Sequence, residues 1–180
     1  MALRIISGSR RGATISAPRG LDTRPTGDRV REAAFNLIGP VDGATVLDLF
    51  AGSGAMGLEA LSRGAERAVF VETDPEACRV INRNLDKLRL TGAQVLCSDA
   101  IEVLADEAAR GSRYDLVLVD PPYGMFSSLQ TSLASYLPAA VADGGLVVVE
   151  TSANVEPELP LAVRTSRRYG AARLTLFESA

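Results

Sequence analysis

The sequence contains no histidine and no tryptophan, and only 5% of its positions are aromatic. Without imidazole the commonest general base is missing, as is every Ser/His or Cys/His nucleophile pair. Any chemistry must manage with carboxylates, backbone groups and tyrosine. The two cysteines, Cys78 and Cys97, fall in no C-x-x-C pair, and with no histidine to complete a ligand set they argue against a zinc site. They read as reduced thiols, which points to the cytoplasm. No apolar run approaches the length of a transmembrane helix. Arg4, followed by Ser7-Gly8-Ser9-Arg10-Arg11, leaves no secretory signal in the first residues.

What is present is ordinary in amount and uneven in placement. The 180 residues, 47% hydrophobic and 23% charged, suit one domain with a sizeable core. Net charge is −3, but residues 1–31 hold seven arginines against two aspartates, a net of +5. Residues 32–180 hold twelve basic and twenty acidic side chains, a net of −8. An acidic body with a basic arm suggests that the arm meets a polyanion, and arginine pairs bidentately with phosphate. The bland alternative is a solvated basic tail.

One stretch organises the chain: Val46-Leu47-Asp48-Leu49-Phe50-Ala51-Gly52-Ser53-Gly54-Ala55-Met56-Gly57. It opens as a strand buried on both faces, continues as a glycine turn, and runs into helix-forming residues from Leu58. Strand, glycine turn and helix form the first βα unit of a nucleotide-binding sheet. The spacing of Gly52, Gly54 and Gly57 matches G-x-G-x-x-G, and Glu72 stands where that fingerprint expects a ribose-binding acid. A dinucleotide and S-adenosylmethionine are therefore both candidates. Asp48 leans towards the second, because a carboxylate beside the turn would repel a pyrophosphate and attract a sulfonium or an ammonium.

The remaining chain alternates. Leu3–Ser7 and Ala13–Ala17 read as a hairpin with Arg10 and Arg11 at its tip. Thr26 could cap a helix to Ile38, from whose outer sides Arg29 and Arg31 would project. Strands are expected at Arg67–Glu72, Ala93–Cys97, Tyr114–Asp120 and Leu146–Glu150. Helices are expected at Pro75–Leu88, Ala100–Ala109 and about Ser127–Ala140. Two closing strands, near Leu161–Arg168 and Arg173–Glu178, fit an antiparallel edge. This pattern predicts an α/β, Rossmann-like fold: a mostly parallel seven-stranded sheet with helices on both faces. Residues 1–20 would form a small basic hairpin extension, and residues 21–180 the main domain.

Ligands bind such sheets outside the carboxyl ends of the strands. Those ends are Asp48 to Gly54 (with Phe50, Ala51 and Ser53), Glu72 with Thr73, Ser98-Asp99-Ala100, and Asp120-Pro121-Pro122-Tyr123. Glu72 could accept from two ribose hydroxyls. Asp74 reads as the cap of the helix that starts at Pro75, and Asp99 as either a cap or an acceptor from an adenine amine. The tetrapeptide is the most specific feature. Two prolines fix the backbone and remove its donors, so Asp120 and the Pro121 carbonyl could accept both hydrogens of a planar exocyclic amine. Tyr123 could stack on the ring bearing that amine. The bland alternative is a sharp Pro-Pro turn.

Asp48-Leu-Phe-Ala-Gly-Ser-Gly54, Val71-Glu72, Ser98-Asp99-Ala100 and Asp120-Pro-Pro-Tyr123 resemble the motifs of class I S-adenosylmethionine-dependent methyltransferases that modify amino groups. Arg4-Ile-Ile-Ser-Gly8, Arg11-Gly12, Leu21-Asp-Thr-Arg-Pro-Thr26 and Asp28-Arg-Val-Arg-Glu32 resemble, more narrowly, the RsmD family, which methylates N2 of a guanine in small-subunit (16S) ribosomal RNA. The resemblance implies a cofactor pocket at Asp48, Phe50, Ala51, Gly52, Ser53, Gly54, Glu72, Thr73, Asp99 and Ala100. It implies catalysis at Asp120, Pro121, Pro122 and Tyr123, with no metal. RNA contacts would come from Arg4, Arg10, Arg11, Arg19, Arg24, Thr26, Arg29 and Arg31, and the partner would be 16S rRNA or the 30S subunit, met by a monomer. Other readings are an adenine-N6 or glutamine amino-methyltransferase, a dinucleotide oxidoreductase, and a non-catalytic RNA-binding assembly factor. The Asp, where glutamine enzymes usually carry Asn, and the arginine arm favour a nucleic acid substrate.

Overall fold

A computed structural model describes residues 3–20 and 27–180; Arg24 and Thr26, and with them the expected helix cap, lie outside the described residues. The main sheet is built from β3 (Thr45–Leu49), β4 (Arg67–Glu72), β5 (Ala93–Cys97), β6 (Tyr114–Val119), β7 (Val141–Ser152), β8 (Ala162–Tyr169) and β9 (Ala172–Glu178). Its spatial order is β5-β4-β3-β6-β7-β9-β8. The first five of these are parallel to one another, and β9 runs antiparallel to both its neighbours. The expected architecture is present, with its antiparallel edge.

Side-chain alternation along the central strands decides the layers. Val46, Leu116, Leu118 and Val148 face one way, into a core completed by α1 (Gly27–Ile38), α2 (Ala55–Ser62) and α3 (Pro75–Leu88). Leu47, Leu49, Val117, Val119 and Val149 face the other way, against α4 (Ala100–Arg110) and α5 (Phe126–Ala140). A strand covered on both faces has no polar side to alternate with, which is why these read as continuous apolar runs. The chain leaves β3 first towards β4 and β5, then returns to its other side at β6. The carboxyl ends of β3 and β6 therefore flank the crevice where such sheets bind ligands.

Two local differences have physical causes. The N-terminal hairpin pairs β1 (Leu3–Arg4) with β2 (Thr14–Ile15), shorter than the runs expected there. Beyond Ile5 the amides turn away from the partner strand: Ile6 and Ser7 donate to the Glu59 carboxylate, and Ser9 to the Ser62 carbonyl. Ile5 and Ile15 are buried in the same core as α1 and α2, so the hairpin shares the main hydrophobic core. Strand β7 starts five residues before the expected strand. Asp143-Gly144-Gly145 stays within it because Gly144 donates to the Ser179 carbonyl and Gly145 accepts from Ser179.

Candidate active site

The turn between β3 and α2 is shaped by backbone conformations that most residues avoid. Phe50, Gly52 and Gly54 have φ of 60°, 56° and 79°. For Phe50 the left-handed conformation costs on the order of 1–3 kcal/mol and persists because the surroundings enforce it. Gly54 precedes α2 and offers that helix end no side-chain cap of its own. The Glu72 carboxylate then ties the turn down. One oxygen accepts from the Gly52 amide at 2.8 Å; the other accepts from the amides of Thr73 at 2.9 Å and Asp74 at 3.1 Å. A single side chain thus sets the spacing of the loops after β3 and β4.

Asp48 lies beneath this turn, 3% exposed, and accepts from the Gly57 amide at 3.0 Å. That contact requires glycine, since a Cβ at position 57 would stand 2.3 Å from the Phe70 ring and 3.0 Å from the Asp48 carboxylate. Burial pushes the Asp48 carboxyl up to about 7; the Gly57 hydrogen bond opposes this, and the charge of Glu72 adds to it.

Asp74 and Asp99 both cap helices. The Asp74 carboxylate accepts from the Glu76 amide at 2.9 Å, and that of Asp99 from Ile101 at 2.9 Å and Glu102 at 3.0 Å. All three Asp99 and Asp74 bonds are N-terminal caps in geometry, so Asp99 orients α4 whatever else it meets. The Cys78 thiol donates to the Glu72 carbonyl, and burial first, then neighbouring Cys97, pushes it up to about 12.

At the end of β6, Asp120 is exposed, Pro121 buried, Pro122 exposed and Tyr123 47% exposed. The tetrapeptide meets two adjoining pockets. One is lined by Pro121, Pro122, Tyr123, Phe126, Glu150 and Thr151, among others. The other, under α1, is walled by Val30, Ala34, Asp48, Met56, Asp120, Val148 and Glu150, among others. Asp48, Asp120 and Glu150 therefore face one space. Register explains this: Leu118 pairs with both Asp48 and Val148, so residues two further along, Asp120 and Glu150, fall on the same face. Glu150 was not among the expected site residues. Its signal in the sequence is only that an acid closes the fifth parallel strand.

The basic residues divide. Arg4, Arg11, Arg19 and Arg29 are exposed. Arg10 is committed to the fold: its guanidinium donates to the Leu88 and Arg89 carbonyls at the end of α3. Arg31 does not project outward as expected. It is 3% exposed, donates to Asp28 at 2.8 Å and to the Arg4 carbonyl, and stands 3.8 Å from buried Glu59. Helical periodicity placed it on a polar face; a carboxylate 28 residues later turns that face inward.

A family model described as conserved hypothetical protein 95 matches residues 3–178. Ribosomal RNA small subunit methyltransferase D of Escherichia coli K12 is 40% identical over 161 residues, covering 88% of this chain and 78% of that protein. A solved hypothetical protein of Thermus thermophilus superposes with a TM-score of 0.82 at 37% identity, covering 98% of this chain and 99% of that one. The 16S rRNA N2 methyltransferase RsmC of Thermus thermophilus, solved with S-adenosylmethionine and guanosine, superposes with a TM-score of 0.74 at 23% identity. The match spans this whole chain and 50% of that one, and it is a likeness of fold.

Proposed function

The chain belongs to the RsmD family, and on that footing we propose that it transfers a methyl group from S-adenosylmethionine to the exocyclic N2 of a guanine in small-subunit ribosomal RNA. The observation that carries this reading is the shared pocket wall of Asp48 and Asp120: one carboxylate on the cofactor side of the crevice, the other on the substrate side.

The residues present fit the cofactor. A buried carboxyl whose ionisation is suppressed by burial is stabilised by a cation, and S-adenosylmethionine, when bound, supplies a sulfonium bearing an electrophilic methyl. Glu72, already accepting three amides through both oxygens, keeps one lone pair, on the oxygen that meets Gly52, to accept from a ribose hydroxyl. Phe50, Ala51, Gly52, Ser53 and Gly54 form the turn after β3, and Thr73, Asp99 and Ala100 follow the carboxyl ends of the next two strands, β4 and β5.

On the substrate side, the Asp120 carboxylate and the Pro121 carbonyl accept the two amine hydrogens. Drawing on both N–H bonds localises the nitrogen lone pair and aims it. As the N–C bond forms, the methyl's C–S bond would break to release neutral S-adenosylhomocysteine. The extra amine proton then passes to the Asp120 carboxylate, so no strong base is needed. Tyr123 offers an exposed ring for stacking, and Glu150, next along the rim, accepts from guanine N1–H, a donor that adenine lacks. The base must leave its stack to reach this pocket. Alignment of this kind supplies about 7–11 kcal/mol in favourable cases.

The test is tritiated methyl transfer from S-adenosylmethionine, offered in parallel to naked 16S rRNA and to 30S subunits, followed by nucleoside analysis. Label in N2-methylguanosine is the expected result. Label in a methyladenosine, or binding of NAD in place of S-adenosylhomocysteine, would overturn the reading.

A further inference from the structure

We propose that the outer edge of the sheet at β8 is a second surface for RNA phosphates, placed beside the substrate side of the crevice and separate from the hairpin. The proposal rests on RNA being the substrate. Strand β8 carries Arg164, Arg167 and Arg168 among eight residues and no acid, in a region of the chain whose net charge is −8. All three are exposed, and none of their guanidinium groups makes a hydrogen bond or ion pair with another described residue. By contrast, Arg63 pairs with Glu59, and Arg173 with Glu156.

Register fixes where these charges stand. Arg167 pairs with Leu174, which pairs with Glu150; Arg168 pairs with Arg173, which pairs with Thr151. Arg167 and Arg168 therefore lie level with the pocket residues Glu150 and Thr151, two strand spacings away, or about 10 Å. Their Cβ atoms point to opposite faces of the sheet, as neighbours on a strand must, so the pair straddles the edge. The register shift between Val163 and Thr165 leaves Arg164 without a partner position, and such an irregularity turns the strand and re-aims its side chain. Ser166 holds the strand in place through Thr175 at 3.1 Å and Arg173 at 2.9 Å.

Charged residues also guard open edges against pairing with another chain. That role alone does not account for β8, because the opposite edge strand, β5, has the sequence Ala-Gln-Val-Leu-Cys and carries no charged side chain. Three unpaired guanidinium groups along a rim that leads to the pocket match the charge of a polynucleotide backbone, with Arg suited to bidentate phosphate contact.

The experiment measures binding of labelled 16S rRNA transcript over a range of salt, for the wild type, for R164Q/R167Q/R168Q and for the matching triple lysine variant. Losing three phosphate contacts should reduce the slope of log affinity against log salt by about 2–3 and weaken binding about tenfold or more. The lysine variant should keep most of the slope, and affinity for S-adenosylhomocysteine should stay at the wild-type level in both. If the glutamine triple self-associates, single variants R167Q and R168Q read the slope one contact at a time. Wild-type slope and affinity in the glutamine variants, with RNA methylation intact, would overturn this surface alone. Failure of the wild type to bind or methylate rRNA would overturn the proposed function with it.

Discussion

The carboxylate of Glu59, fully buried in α2, accepts the backbone N–H of Ser7 at 3.0 Å across 52 residues of chain. The same group accepts from Ile6 at 2.9 Å and Arg63 at 2.9 Å, with Arg31 at 3.8 Å. A buried charge is tolerable only with such partners, and here they come from the hairpin, from α1 and from α2 itself. One side chain thus fastens the basic N-terminal segment to the methyltransferase core.

Replacing Glu59 by Ala should cost about 3–5 kcal/mol, because it removes the acceptor of the Ile6 and Ser7 amides and of Arg63 in the interior and leaves Arg31 with Asp28 as its remaining carboxylate. Glu59→Gln keeps one acceptor oxygen and should lose less. Urea unfolding measures both; equal stability of Glu59→Ala and the wild type would remove Glu59 from this role.

Asp48 gives a pH dependence with a definite sign. Its folded value, about 7, lies above its ordinary value of 3.8, so the folded state holds a proton that the unfolded state releases. Its stabilising contribution is complete below about pH 4 and is lost as pH rises through 7. Asp48→Asn should flatten stability between these limits. Binding of a cationic cofactor should expel the same proton, so titration calorimetry with S-adenosylmethionine near pH 6 should show proton release that Asp48→Asn abolishes.

Asp120→Ala should lower kcat for methyl transfer by about 100-fold or more while binding of S-adenosylhomocysteine stays at the wild-type level. Joint loss of both would make Asp120 a structural residue.

Arg10 and Arg11, neighbours at the hairpin tip, should separate. Arg11→Ala should weaken rRNA binding and reduce its salt slope, with thermal stability unchanged. Arg10→Ala should instead destabilise the protein by about 0.5–1.5 kcal/mol, through loss of its bonds to the Leu88 and Arg89 carbonyls. Thermal unfolding and a binding titration on both variants check the division.

The sheet was legible in the sequence because its central strands are covered on both faces and leave unbroken apolar runs, as at Leu116–Val119. The boundaries of β4, β5 and α3 coincide with those expected. Turn chemistry was legible where a side chain acts on its own neighbourhood, as Asp74 does on Glu76. Long-range pairing was not. Nothing near Arg31 announces Glu59, and nothing near Glu150 announces that register will set it beside Asp120. The closing pair of strands was expected at an edge, but only the strand order reveals that β8, with its arginines, is the outermost of the two.

The close approach at Gly57 reaches beyond this molecule. With 2.3 Å between a would-be methyl at that position and the Phe70 ring, the two sites cannot drift independently. A lineage could enlarge residue 57 only after trimming residue 70, so across descendants of this chain the pair should vary in concert, a smaller ring-side residue accompanying every alanine.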